Sequence, residues 1–209
     1  MSWHGMLRAG ARVPAVGNSD AHNPDHVVGL PHNVVLAEEL TPRRVMDGFK
    51  AGRNWIAESA QLQLTFEATD GMRLAGIGQA LTTATGTPVT IELTVSGVPG
   101  TSVRLLDQSG PQWIQPVDAS GSATVRWTTQ TRYSRWVRSE VRRPVPTATT
   151  PDSMVALTNP VFLSRAEACR CASFHVSESF VQSALLVLDD HCDPFRVLTS
   201  YRSYPSASP

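Results

Sequence analysis

The sequence predicts an α/β segment followed by an all-β, sandwich-like domain. Three observations carry that expectation. Helix-spaced and strand-like apolar runs alternate through about residue 60, the apolar period drops to two from Gln61 to about Leu163, and no sustained period follows. Segments are therefore expected at 1–60 and 61–163, with 164–209 as an irregular or weakly helical tail.

Within the first segment, SWHGMLRAG places Trp3, Met6 and Leu7 at helical spacing and stops at Gly10. RVPAVG reads as a short apolar strand that runs into the turn-rich loop GNSDAHNPDH, and VVGLPHNVVLAEE reads as mostly extended. LTPRRVMDGFKAG has Thr41 as N-cap and Pro42 at the first helical position. It sets Val45, Met46 and Phe49 on one face and closes at Gly52, before the strand NWIAES. In the second segment Leu62, Leu64 and Phe66, and likewise Val89, Ile91, Leu93 and Val95, alternate with polar residues, so each strand has one wet face. Turn signals SGVPG and DQSG bracket TSVRLL, and further strands are expected in ATVRWTT, WVRSEVRR and MVALTNPVFL. Short strands at this spacing favour an antiparallel sandwich over a parallel sheet.

Composition narrows the function classes. A hydrophobic content of 41% over 209 residues is enough for a core. Lys plus Arg and Asp plus Glu number 18 each, so no basic footprint for a phosphate backbone exists and nucleic acid is not an expected partner. No apolar run reaches the roughly 20 residues of a bilayer span, and no membrane association is expected. Trp3, His4 and Arg8 interrupt the stretch a signal peptide needs, which leaves a cytoplasmic location as the default. Cys169, Cys171 and Cys192 all fall late in the chain, so disulfides do not hold the main body together.

The chemistry concentrates in AVGNSDAHNPDHVVGLP. Asp20 and His22 lie two apart, so in extended backbone their side chains project to the same side. A carboxylate and an imidazole form a mixed oxygen and nitrogen set suited to Zn, Mn or Fe. The spacing equally fits a turn in which Asn18, Ser19 and Asp20 bond the local backbone and His22 is merely exposed.

SWHGMLRAG, RVPAVGNSDAH, GLP, an extended segment, LTPRRVMDGFKAGRNWIAES and the sandwich pattern follow in that order over about residues 1–163. This series resembles the C-terminal end of PHP-type metal-dependent hydrolases, in particular the branch grouped with carbaryl-hydrolase-like metallohydrolases. The resemblance implies that residues 1–60 are the last units of an incomplete PHP barrel. It also implies that Asp20 and His22 ligate a cluster of divalent metal ions that activates water against a phosphoester, ester or carbamate of a small-molecule substrate. Two departures stand out. GLPHNVV carries His32 and Asn33 where the family has a polar or basic residue and then Thr, and the family's HxH motif and other ligands are not found upstream of Asp20. An eight-unit barrel takes about 250 residues, so ~60 residues supply about two units. The expectation is a truncated product, or one completed by a complementary barrel fragment, with metal bound weakly and no substantial activity in this chain alone.

Other residues carry weaker signals. His26 and His32 lie close enough in sequence to serve the same site, although loop histidines are usually solvated. Arg53 suits an anionic substrate, or simply a helix C-terminus. Cys169, Cys171, His175, His191 and Cys192 have zinc-ligand chemistry without structural-zinc spacing. Trp113, Trp127 and Trp136 suit either a sugar-binding face or core packing. There is no phosphate loop or nucleophile elbow, and Ser59 has no triad context. A non-catalytic β-sandwich binding or scaffolding module is the alternative function.

Overall fold

The computed structural model describes residues 2–144 and 153–166. Helix α1, Trp3–Arg8, starts where the Ser2 hydroxyl accepts the Gly5 N–H at 3.2 Å, and it ends before Gly10, whose φ of 93° suits glycine. Helix α2, Pro42–Lys50, is capped by the Thr41 hydroxyl, which accepts the Arg44 N–H at 3.3 Å. Its buried contact is Gly48, where a β-carbon would come within 2.6 Å of Val35. Val45 and Phe49 are half-buried, but Met46 turns outward and is 52% exposed.

The strands are β1 His32–Val35, β2 Asn54–Ala57, β3 Gln63–Thr69, β4 Leu74–Gly76, β5 Ala80–Thr83 and β6 Val89–Ser96. They continue with β7 Ser102–Asp107, β8 Gly110–Pro116, β9 Ala123–Thr129, β10 Trp136–Arg143, β11 Ser153–Thr158 and β12 Val161–Arg165. One sheet has four strands in the order β4-β3-β6-β9, all antiparallel. The other has eight, in the order β1-β2-β11-β10-β12-β5, with β7 on β10 and β8 on β7. Between β11 and β12 the chain breaks at Asn159–Pro160, so β11 pairs with the C-terminal half of β10 and β12 with its first two residues. Among the described residues the single parallel pair is β12 with β5. The fold is thus mostly β-sheet with few helices, compatible with a sandwich-like domain.

Strand β6 shows why the two sheets pack. Val89, Ile91, Leu93 and Val95 are at most 1% exposed, while the residues between them face outward. Each such side chain contributes about 1.5–3 kcal/mol on burial. Trp55, Phe66, Leu81, Leu105, Val137, Val141 and Val161 complete this core from both sheets. Strands β4, β5 and β8 were not expected from the sequence. β4 and β5 are too short to show a period, and β8 carries Pro111 and Pro116 and exposes most of its residues.

Residues 1–60 contribute both helices and the strands β1 and β2, which pair antiparallel and continue into the eight-stranded sheet through β2 and β11. RVPAVG is not a strand, which corrects the sequence expectation. Its backbone lies across the outer face of that sheet, where Asn33 and Ile56 sit opposite one another and away from the core-facing Trp55 and Ala57. There it is held by side chains instead of a neighbouring strand. The last strand runs to Arg165, two residues beyond the expected end of the second segment. The remainder of the expected tail, with its suggested weak helix, lies outside the described residues.

Candidate metal centre

Three asparagines set the position of the Asp20–His22 loop. The Asn159 carboxamide accepts the Ala15 N–H at 2.7 Å and donates to the Ala15 carbonyl at 3.1 Å, and Asn54 donates to the same carbonyl at 2.9 Å. Two residues on, Asn33 accepts the Gly17 N–H at 3.0 Å and donates to the Gly17 carbonyl at 2.6 Å. Asn159 and Asn33 each present a donor and an acceptor together, as a paired strand would. The approach is close: a β-carbon on Gly17 would lie 2.7 Å from Ile56 Cγ2. The loop leaves the sheet immediately after this anchor.

Beyond the anchor the loop is built from its own polar groups. The Asn18 side chain accepts the Asp20 N–H at 2.8 Å, and Asp20 adopts φ 47°, a left-handed conformation that Asp tolerates through such local bonds. His22 Nδ1 is 2.5 Å from the Asp20 carbonyl oxygen, and the His22 N–H donates to His26 Nδ1 at 3.1 Å. With Nδ1 on a backbone carbonyl, Nε2 is the ring atom left to bind, the arrangement in which histidine usually ligates metal. The two side chains stay open to solvent, His22 at 71% and Asp20 at 86%, with His22 Nδ1 3.7 Å from Asp20 Oδ1.

Asp20 is a turn residue by its backbone, and its carboxylate and the His22 ring remain accessible as donors. Those two groups fit a divalent cation in chemistry but do not complete its coordination. Among the described residues no group of three or more His, Cys, Asp or Glu side chains is placed to hold a metal ion.

The other sequence candidates are dispersed. His26 spends Nδ1 on the His22 N–H, and its Nε2 is 3.2 Å from the Asn23 amide, so it braces the loop. His32 shares the face of β1 that carries Val34 toward the core, opposite the face that holds Gly17. Arg53 lines a cleft of about 420 Å3 with Glu38 and Glu67, and its buried Nε has no hydrogen-bond partner among the described residues. The three tryptophans do not share one face: Trp136 is 2% exposed beneath α1, Trp127 packs half-buried against the core, and Trp113 is 41% exposed on β8. Cys169, Cys171, His175, His191 and Cys192 lie outside the described residues. Asn54 and Asn159 were missed by sequence reasoning. The available signal was a carboxamide at the start of NWIA and in TNPV, apolar contexts where a buried amide has to be bonded.

Comparison with protein-family models, with curated proteins and with solved structures finds no match for the chain.

Proposed function

We propose that this chain carries the last ligand pair, Asp20 and His22, of a PHP-type metal-dependent hydrolase, and that it has no substantial hydrolase activity by itself. In this reading residues 1–60 correspond to the final units of the family's barrel, with β1 and β2 taken antiparallel into the sandwich sheet here, and the remaining ligands come from a complementary barrel fragment or a longer form of the protein. The supporting observation is the His22 ring, fixed through Nδ1 on the Asp20 carbonyl with Nε2 free for a ligand, beside an exposed carboxylate on the same loop. Zn, Mn or Fe suits that donor pair. When bound, such an ion lowers the pKa of its water to about 7 and polarises the ester, phosphoester or carbamate to be cleaved. The chain's own contribution is to hold the two donors together on a loop anchored by Asn33, Asn54 and Asn159.

Two-donor sites are weak, because usually three or more protein ligands fix a catalytic ion. The purified chain should therefore lose its metal to chelator and show no metal-dependent turnover of a phosphoester or carboxylic ester. Joined to the missing barrel units, it should bind metal tightly. Asp20→Ala or His22→Ala in the joined protein should lower metal stoichiometry and activity together, with the sandwich still folded. Unchanged metal content in both variants, measured by elemental analysis, would refute the assignment.

The second reading, a non-catalytic binding module, has a different support: a cleft of about 620 Å3 at one end of the sandwich, lined by aromatic and polar side chains.

A further inference from the structure

The loop Gln130–Arg135 carries the chain from β9 in the four-stranded sheet to β10 in the eight-stranded one. The 620 Å3 cleft opens beside it. We propose that this cleft binds a neutral saccharide, with Trp127 and Tyr133 packing on sugar faces and Gln112, Gln130 and Arg132 meeting hydroxyls. The proposal deepens the second reading and rests on it. Its failure leaves the metal assignment untouched, because Asp20 and His22 belong to another loop.

Size and lining argue first. The volume falls within the range of about 300–1,000 Å3 typical of small-ligand sites. Trp127 is half-buried against the core yet lines the cleft, and Tyr133 is 60% exposed, so both offer apolar ring surface where a ligand can reach. Arg132 stacks on the Tyr133 ring at 4.6 Å, which fixes a planar donor beside that surface. Carboxamides and a guanidinium together present donors and acceptors at neighbouring positions, as vicinal hydroxyls require.

The site is also prebuilt. Asp107 is 3% exposed; its Oδ1 accepts the Ser109 N–H at 2.7 Å and a Gln112 N–H at 3.1 Å, and its Oδ2 accepts the Ser134 hydroxyl at 3.0 Å. Ser134 lies 2.9 Å from the Thr129 hydroxyl. Gln108 clasps the loop from outside, accepting the Arg135 N–H at 3.0 Å and donating to the Tyr133 carbonyl. A ligand therefore does not have to order this loop, which removes one of the main costs of association. Among the described residues, the two buried side-chain oxygens without a hydrogen-bond partner, Gln130 Oε1 and Thr131 Oγ1, both belong to it. An acceptor left unpaired costs about 1–3 kcal/mol, and Gln130 is among the residues that line the cleft. Arg132 and Asp107 are the two formally charged residues of the lining and are opposite in sign, so the cleft carries no net charge that favours an anion.

Titration calorimetry of the chain with maltohexaose, cellohexaose, xylohexaose and chitohexaose tests the proposal. At least one should bind with a dissociation constant in the millimolar range or tighter, and the affinity should not change with salt. Tyr133→Ala and Gln112→Ala should each weaken that binding about tenfold while leaving the circular dichroism spectrum unchanged. Both sites are exposed, so these variants keep the test open if substitution of Trp127 disturbs the core. No binding by any of the four up to about 10 mM, binding that both variants retain in full, or binding that falls steeply with salt would overturn it.

Discussion

At the scale of single residues, three asparagines do work that the sequence suggests for a strand. Asn54 and Asn159 are at most 2% exposed and bonded to one another, with Asn159 Nδ2 3.0 Å from Asn54 Oδ1. Together they satisfy the Ala15 backbone, 144 residues away from Asn159 in the chain. Truncating one member leaves buried polar atoms without partners, at about 1–3 kcal/mol. Asn54→Ala should destabilise the fold by about that amount in urea denaturation. It should also speed hydrogen exchange at the Ala15 and Gly17 amides more than at the amides of β6. Equal exchange at both places would mean that the segment is held by something other than these carboxamides.

At the scale of elements, α1 and β10 form a charged layer on the outer face of the larger sheet. Glu140 is 5% exposed and is bonded to Arg138 at 2.5 Å and to Arg142 at 2.6 Å, while the Trp3 ring sits 5.2 Å from the Arg138 guanidinium. Burial pushes the Glu140 carboxyl up, but the two arginines outweigh it and hold it below the ordinary glutamate range. Removing the carboxylate leaves Arg138 buried without its counter-charge. Glu140→Gln should therefore cost about 3 kcal/mol or more in chemical denaturation, and a loss under about 1 kcal/mol would show that solvent screens the cluster.

His4, on α1, stands edge-on to Trp136 with ring centroids 5.4 Å apart. Burial and then Arg138 hold its pKa below the ordinary 6.5, so the folded protein resists a proton that the unfolded chain accepts. Above 6.5 this group adds no pH dependence; as pH falls from there toward the depressed folded value, stability is lost. Tm should drop as pH falls below about 6.5, and His4→Gln should flatten that drop. An unchanged slope in the variant would assign the dependence to another group.

At the scale of the whole molecule, the described sandwich closes with β12. Ser164 and Arg165 pair with Thr82 and Thr83, the Ser164 and Thr82 hydroxyls lie 2.8 Å apart, and the Ala166 N–H donates to the Thr83 carbonyl at 2.8 Å. Met1–Ala166 is a compact unit, so a chain ending after Ala166 should fold and melt cooperatively. A chain ending after Leu163 forfeits the last parallel pairing and should melt several degrees lower, at about 2–4 °C per kcal/mol lost. Equal melting temperatures for the two truncations would show that β12 contributes no stability beyond Leu163.

Local pattern alone determined the β class, the faces that β3 and β6 bury, the start of α2 and the ends of both helices. Leu62 to Phe66 and Val89 to Val95 alternate because one side of each strand has to leave water, and Thr41 before α2 and Gly10 or Gly52 after a helix mark where helical N–H and C=O groups need other partners. Half of the candidate site was legible in the same way: Asp20 and His22 stand out by residue type, and the Gly-Asn-Ser context announces a turn. Tertiary structure alone decided who pairs with whom. An apolar period reports that a face is buried, not what it is buried against, so RVPAVG reads as a strand although its backbone bonds go to asparagine side chains. The antiparallel entry of β1 and β2 into the sandwich sheet, the parallel pairing of β12 with β5 and the anchor beneath the Asp20–His22 loop all join residues far apart in the chain. Such contacts form only when the whole chain has closed around its core, because no local segment contains both partners of the bond.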